Sequence, residues 1–500
     1  MPNNILSLMI LLPVFGALIQ WFEKGRTPSL ARWFAFLSSL LSSVCGVVLV
    51  CFFQRGNTEI QAKETHPWIS SYAINYEIGV DGFNILLVLL IAVLFPILIS
   101  VEWKRDRGAR GFHALLLVLQ SSLLGVLCSQ DIFLMVFFWL LSSLPVYFLV
   151  GIWGGAKKED AAFRTIVMSS IGNTFFFAAL ILIYYSIDPH SFSIAQLASG
   201  RLSEKTIVFG EHSLNISKIS FLLISVAVLF RIPIWPLHSW FVSFVEEAPP
   251  AVVVSFCSGV IPTAVYIYFK LAYLLFPTSM LSYSDVVVWV GVLNMTMGFL
   301  SALGQNELRQ LFAYLCLGGF GFVIMGFGSL NLVSVTGTLL YSVSFSLGLG
   351  GFGLLMGLLL ERTGTTHFRP QGSPVRLMGV VSFAPEISIF TSIVIASLLG
   401  FPGFMGFVGY GLVMIGAFPG NPWAVLLSGV ATLLSIYYLF SMFKIIFLGD
   451  SGGAHFPDLS FRERAYLFPI VVLLVVFGVY PHPLLELVRP TINTVLLLVK

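Results

Sequence analysis

Apolar stretches long enough to cross a bilayer follow one another almost without pause along this chain. A membrane helix needs about 17–25 predominantly apolar residues. Fourteen runs meet that length, centred near residues 13, 42, 91, 121, 141, 174, 229, 262, 293, 318, 346, 397, 434 and 477. The fourth and fifth are parted only around Ser129-Gln130-Asp131, the tenth and eleventh by little more than Ser329–Leu332. The pattern predicts an all-α polytopic membrane protein of about 14 transmembrane helices, with both termini on one side. The first run is apolar from Ile5 and has no basic n-region or small-residue cleavage site, so it reads as a retained span.

Two runs are interrupted. The seventh, from about Ile219 to Val245, contains Phe230-Arg231-Ile232-Pro233-Ile234-Trp235-Pro236-Leu237-His238. Pro233 and Pro236 each lack the N–H that a helix interior requires, so the hydrogen-bond ladder is broken there. The twelfth is broken at Gly400-Phe401-Pro402-Gly403. Paired breaks at matching places in two halves are the sequence sign of transporter repeats with a site near the breaks. Five spans separate them, an odd number, which predicts inverted halves. The division expected is 1–110 for spans one to three, 111–276 for the first five-helix repeat, 277–447 for the second, and 448–500 for span fourteen.

Arg231 is the one formal charge that the pattern places near mid-span. A charge at that depth is costly and marks a functional site by default. Backbone left unpaired by a break survives in a membrane only where protein buries it or a wet cavity meets it. Carbonyls freed by Pro233 and Pro236, or water, are the acceptors expected for Arg231.

Composition agrees. The chain is 57% hydrophobic and 10% charged, with a mean hydropathy of +0.95, which is polytopic-membrane territory. Its 45 glycines suit close helix approach in lipid. A net charge of +3 spread over many loops gives no nucleic-acid footprint. Cys45, Cys51, Cys128, Cys257 and Cys316 form no Cys-x-x-Cys pair, and no metal or cluster site is expected. Gly348-Leu349-Gly350-Gly351-Phe352-Gly353 matches a dinucleotide-binding pattern, but it lies inside an apolar run with no strand before it. No P-loop or nucleophilic triad is present, so the chain is expected to bring no cofactor and no catalytic residue.

Basic residues choose the side. With termini outside, the inner loops hold 17 Lys and Arg and the outer segments 8, Arg231 standing apart and Lys270 counted as outer. The positive-inside rule then puts both termini on the outer face.

The motifs collected along the chain resemble the antiporter-like subunits of respiratory complex I, and among them the M-type, or chain 4, member. The resemblance rests on Pro236-Leu237-His238-Ser239-Trp240 with Ala248-Pro249-Pro250-Ala251, and on Gly79-Val80-Asp81-Gly82. It extends to Trp139 with Pro145-Val146-Tyr147-Phe148-Leu149, to Gln305-Asn306-Glu307-Leu308-Arg309, to Gly400-Phe401-Pro402-Gly403 with Gly406-Phe407-Val408-Gly409, and to Tyr480-Pro481-His482-Pro483. It covers nearly the whole chain. It implies fourteen helices, two inverted five-helix repeats and broken helices seven and twelve.

The resemblance also implies a mid-membrane row of Glu, Lys and His that relays protons, and here the chain departs from it. Leu140 stands at the family's fifth-span glutamate, Arg231 at its seventh-span lysine and Pro262 at its eighth-span lysine. Gly319 and Phe345 stand at histidines, and Tyr410 at the twelfth-span glutamate. A relay needs groups that exchange protons near working pH. Arg stays protonated and so biases a field without shuttling. Tyr410 has a reference pKa near 10. His238 alone titrates in the ordinary range, although a lone His in a span is more often a structural hydrogen-bonding group. Arg231, His238 and Tyr410 remain as ion-pathway candidates, with Pro233, Pro236, Gly400, Pro402 and Gly403 as the broken-helix elements.

The reading is thus a membrane-arm subunit of a proton-translocating NADH:quinone oxidoreductase, with its own channel degenerate and no redox centre of its own. Its expected partners are other membrane-arm subunits and the lipid of a bacterial cytoplasmic membrane, and it is not expected to act alone. The alternatives are a translocator working through waters and His238, a subunit of a Mrp-type cation/proton antiporter, of a membrane-bound hydrogenase or of an inorganic-carbon pump, and a solitary transporter.

Overall fold

The computed structural model describes residues 4–22, 28–105, 108–188, 190–199, 206–209, 212–368, 378–449 and 455–499. The chain begins with α1 (Ile5–Phe22) and α2 (Pro28–Phe52), then a hairpin of β1 (Gln61–Ile69) and β2 (Ile74–Val80). Next come α3 (Ile85–Val101), α4 (Ala109–Cys128), α5 (Ile132–Trp153) and α6 (Lys158–Ser186). A short α7 (Ile194–Leu197) and a second hairpin, β3 (Thr206–Phe209) and β4 (His212–Asn215), lead to α8 (Ile216–Leu229) and α9 (Ser239–Glu247). Then α10 (Pro250–Ser255) and α11 (Ile261–Leu275) are joined through a π turn, Phe256–Val260. The remainder is α12 (Pro277–Leu303), α13 (Leu308–Gly328), α14 (Leu332–Thr363), α15 (Pro385–Leu398), α16 (Met405–Ala417), α17 (Pro422–Phe447), α18 (Phe461–Val479) and α19 (His482–Val499).

This is a mostly helical polytopic membrane protein. Among the described residues, ten helices are long and apolar enough to cross a bilayer, or up to eleven if the bent α18–α19 pair is one span. Four further apolar helices are shorter, at Ile5–Trp21, Ile216–Leu229, Pro385–Leu398 and Met405–Ala417. Each of the fourteen expected runs falls on a helix, but length and composition alone carry only ten or eleven crossings.

Both expected breaks are present. In the seventh run the helix stops at Leu229 and resumes at Ser239. In the twelfth it stops at Leu398 and resumes at Met405, with Gly400 at φ 69° and Gly403 at φ 90°. Those two positions need the left-handed backbone that glycine adopts freely. The last run differs from its expected form. It is not one straight span to the terminus, because α19 turns 74° away from α18. Pro481 has no N–H to continue the ladder, and Tyr480 before it is drawn out of the helical region, at φ −130° and ψ 75°. Beyond the bend α19 buries Leu484, Leu487, Val488, Thr491, Ile492 and Leu496, a 3–4 spacing that lays one face on α11, α12 and α14.

Close helix contact rests on small residues where the sequence placed them. A Cβ on Gly291 would lie 2.5 Å from the Met325 backbone nitrogen, and one on Gly298 would lie 2.6 Å from that of Gly318. Helices α12 and α13 therefore meet backbone to backbone. The glycines of the false dinucleotide motif lie inside α14 and are buried; Gly348 meets Leu398 and Gly353 meets Val254.

One side of the helix array is covered by the first hairpin. Its strands run antiparallel, pairing Thr65 with Glu77 and Pro67 with Asn75. It is tied to the α4–α5 junction, where Gln130 donates its backbone N–H to the Glu77 carbonyl at 2.8 Å. Asp131 caps α5 there, its side chain accepting from the Leu134 and Asn75 N–H groups at 3.1 and 3.3 Å. Burial pushes the Asp131 carboxyl up to about 6, against the pull of these backbone donors. A folded value above the unfolded one means stability that is present below the unfolded pKa of about 3.9 and lost as pH rises through about 6. Unfolding of the purified protein should therefore become easier between about pH 4 and pH 7, and Asp131→Asn should flatten that slope. An unchanged slope in the variant would refute this assignment.

Candidate functional site

Arg231 follows the C-terminal end of α8, in the break, and is 2% exposed. Its backbone N–H still reaches the Val228 carbonyl at 2.9 Å, as does that of Ile232 at 3.0 Å. Its side chain does not bond the carbonyls expected for it. Instead Nη1 donates to the Ser143 hydroxyl at 2.6 Å and Nη2 to that of Ser142, both on α5. The guanidinium lies 5.0 Å from the centre of the Trp139 ring, a cation–π contact that offsets part of its desolvation. Trp139 is held by Asn173 of α6, whose Oδ1 accepts from the indole N–H at 2.8 Å.

A residue on another helix bonds two backbone groups of the break. The Asn294 Oδ1 on α12 accepts from the Trp235 N–H at 2.8 Å, and its Nδ2 donates to the Pro233 carbonyl at 3.3 Å and the Leu317 carbonyl at 2.9 Å. Asn294 is 1% exposed and thereby staples the break to both α12 and α13. His238, at the end of the break, is half-buried and meets the Tyr314 ring edge to face at 5.8 Å.

The other family relay positions are filled by packing groups. Leu140 is 37% exposed on the perimeter of α5. Pro262 is buried just after the π turn, where the Ile261 N–H reaches back to the Phe256 carbonyl. A wide turn there accommodates a proline ring that a regular helix interior would reject. Gly319 and Phe345 interlock, since a Cβ on Gly319 would lie 1.9 Å from the Phe345 ring. That ring stacks on Tyr341 at 5.4 Å, and Phe322 lies against both Tyr341 at 4.8 Å and Tyr410 at 4.9 Å. Tyr410 donates its hydroxyl to Thr432 at 3.1 Å. Phe345, Tyr341, Phe322 and Tyr410 thus form a continuous run of four aromatic rings in contact.

A buried ion pair was missed. Lys270, counted among the outer basic residues, is inside α11 and 2% exposed, so Arg231 is not the only charge buried within a span. Its Nζ lies 3.2 Å from Asp81 Oδ2 and 3.3 Å from the Gln130 side-chain oxygen. The other Asp81 oxygen accepts from the Phe83 and Asn84 N–H groups at 2.9 and 3.0 Å, fixing the start of α3. The signal existed, because Lys270 has apolar Ala264–Phe269 before it and Leu271–Phe276 after it.

On the side away from the hairpin, a cleft of about 440 Å³ opens between α3, α14 and α18, with Glu102, Lys104, Arg105, Glu361, Arg462 and Glu463 on its walls. Arg105–Glu102 at 2.7 Å and Arg362–Glu463 at 2.7 Å are ion pairs of that face, and Glu386 pairs with Arg464 at 2.6 Å at the start of α15. Among the described residues no group of three His, Cys, Asp or Glu side chains could hold a metal. Lys24, Arg26, Arg107, Arg201, Lys205, Arg369, Arg376 and Lys500, which entered the charge comparison, lie outside the described residues.

Comparison with known proteins places this geometry. Residues 129–435, more than half the chain, match the family described as NADH:quinone oxidoreductase/Mrp antiporter, TM. NADH-quinone oxidoreductase subunit M of Mycobacterium tuberculosis is 27% identical, over 98% of this chain and 94% of its own length. A chain in the structure of respiratory complex I from Thermus thermophilus with bound NADH superposes with a TM-score of 0.87 at 23% identity, covering 99% of this chain and 100% of its own. A chain of the Mrp complex from Dietzia superposes at 0.83 with 17% identity, covering 99% and 98%. The last two likenesses concern the fold.

Proposed function

Because this chain belongs to the family of NADH:quinone oxidoreductase and Mrp antiporter membrane subunits, we propose that it is the M-type, antiporter-like subunit of a proton-translocating NADH:quinone oxidoreductase whose own proton channel is lost. It sits in the membrane arm beside other subunits, supports quinone-linked electron transport, and holds no redox centre or cofactor. The observation that carries the lost channel is the filling of the relay positions. Leu140 lies on the perimeter, Phe345 occupies the space beside Gly319, and Arg231 faces two serines.

The architecture proposed with it has fourteen spans, α8–α9 and α15–α16 each forming one broken span. Residues 111–276 and 277–447 are two inverted repeats, preceded by 1–110 and followed by 448–500. The breaks at 230–238 and 399–404 support this division. Both termini lie on the outer face of a bacterial cytoplasmic membrane, which the excess of basic residues in the opposite loops supports. Cysteines at Ala156 and Ser199, both exposed, should then label from opposite sides, Ala156→Cys from the cytoplasm only. Labelling of both from one side would refute the topology.

Isolation in mild detergent tests the assembly. The chain should co-purify with flavin and iron–sulfur subunits, migrate as a large complex, and show no NADH oxidation by itself. Small antiporter chains as partners would favour the Mrp-type reading, and a nickel–iron subunit a hydrogenase. A monodisperse single chain with transport activity of its own would contradict the proposal.

A further inference from the structure

Two side chains away from the relay positions are buried without partners. Gln20, near the end of α1, is 4% exposed and His113, near the start of α4, is 0% exposed. Among the described residues neither side-chain atom Oε1 nor Nε2 of Gln20, and neither ring nitrogen of His113, has a hydrogen-bond partner. The Ala109 carbonyl, one turn before His113, lies near the ring outside hydrogen-bond geometry, and could serve one nitrogen at most. Buried polar groups are otherwise almost always satisfied, by protein or by ordered water.

The packing of three helices brings the two side chains together. Helices α1 and α4 run antiparallel, since the Ser121 hydroxyl donates to the Ile10 carbonyl at 2.7 Å and a Cβ on Gly16 would lie 3.1 Å from Leu117 Cδ1. Gln20 stands four residues beyond Gly16, and His113 four residues before Leu117. Residues four apart share a helix face, so Gln20 and His113 meet one turn further along the same contact. Helix α2 closes the third side, where a Cβ on Gly16 would also meet the Ser38 side chain. That register puts Ala35 and Ala31, 0% and 3% exposed, at the level of Gln20. Their single methyl groups leave room that a larger side chain would fill.

A buried water needs a small gap and two to four polar partners. Gln20 offers an acceptor and two donors, and His113 adds ring nitrogens that donate or accept. A set with both donors and acceptors suits water rather than an ion of one sign. We propose that Gln20 and His113 bind ordered water between α1, α2 and α4. The water bridges the two side chains and ties the end of α1 to the start of α4. The site does not depend on whether the assembled chain moves protons.

The test uses the purified complex. Gln20→Met and His113→Phe nearly keep the side-chain volume and remove the polar atoms. Each leaves the water and the remaining partner a bond short, so each should lower the folded-to-unfolded ratio of this subunit about tenfold in thermal unfolding. In a dry site the same changes delete an unsatisfied group and raise stability. Single variants as stable as the natural protein, or more stable, overturn the proposal. A density map of the natural complex, at a resolution that shows waters elsewhere in the protein, gives the second reading and decides if a variant fails to assemble. A peak within about 2.7–3.2 Å of both Gln20 and a His113 ring nitrogen supports the site, and its absence there overturns it.

Discussion

Lys270→Met should lower the stability of the assembled protein by about 3–5 kcal/mol, the loss found when one partner of a buried ion pair is removed. Asp81, 8% exposed, would be left without its cation, held at the start of α3 by the Phe83 and Asn84 N–H groups and unable to turn to water. Adding Asp81→Asn should recover most of the loss, because the amide oxygen keeps accepting those two N–H groups and no charge remains unmatched. The measurement is the thermal midpoint and yield of the complex for the two single variants and the pair. A Lys270→Met protein as stable as the natural one, or a double variant worse than both singles, would show that the pair does not hold the hairpin side of the molecule together.

Asn294→Leu should be comparably damaging. It removes the partner of the Trp235 N–H and the Pro233 carbonyl, and each buried unsatisfied group costs about 1–3 kcal/mol. In a membrane no solvent stands by to replace the lost bonds. The neighbouring Leu293→Ala, at an exposed position, serves as the comparison and should leave assembly near normal. Equal yields of the two variants would mean that Asn294 does not support the break.

The helical class, the two breaks and the small-residue contacts were legible in the sequence because each follows from local chemistry. Run length, a missing proline N–H and the lack of a Cβ act on the residue that carries them. Partners across helices were not legible. Arg231 was visible as a charge, but its expected carbonyl acceptors were wrong, because Asn294 and the Ser142-Ser143 pair lie far from it along the chain. Lys270 was misplaced because charge counting treats a lysine near a helix end as solvated, whereas Asp81, Gln130 and the Tyr266 ring surround it. The bend before α19 was written in Tyr480-Pro481, yet the whole of 448–500 was assigned to span fourteen on the one apolar run centred near 477. The π turn before Pro262 shows how the chain accommodates a residue that the resemblance marked only as a departure.

The lost channel is tested most directly by counting protons taken up per electron pair in vesicles holding the complex with Arg231→Leu. Assembly should be nearly intact, since Asn294 and not Arg231 supports the broken backbone, and an apolar residue in place of a buried charge is often tolerated. The proton count should equal that of the natural complex, and Arg231→Lys should not raise it. A complex that assembles normally with Arg231→Leu yet loses a whole proton-pumping step would contradict the account and make this chain a working pump.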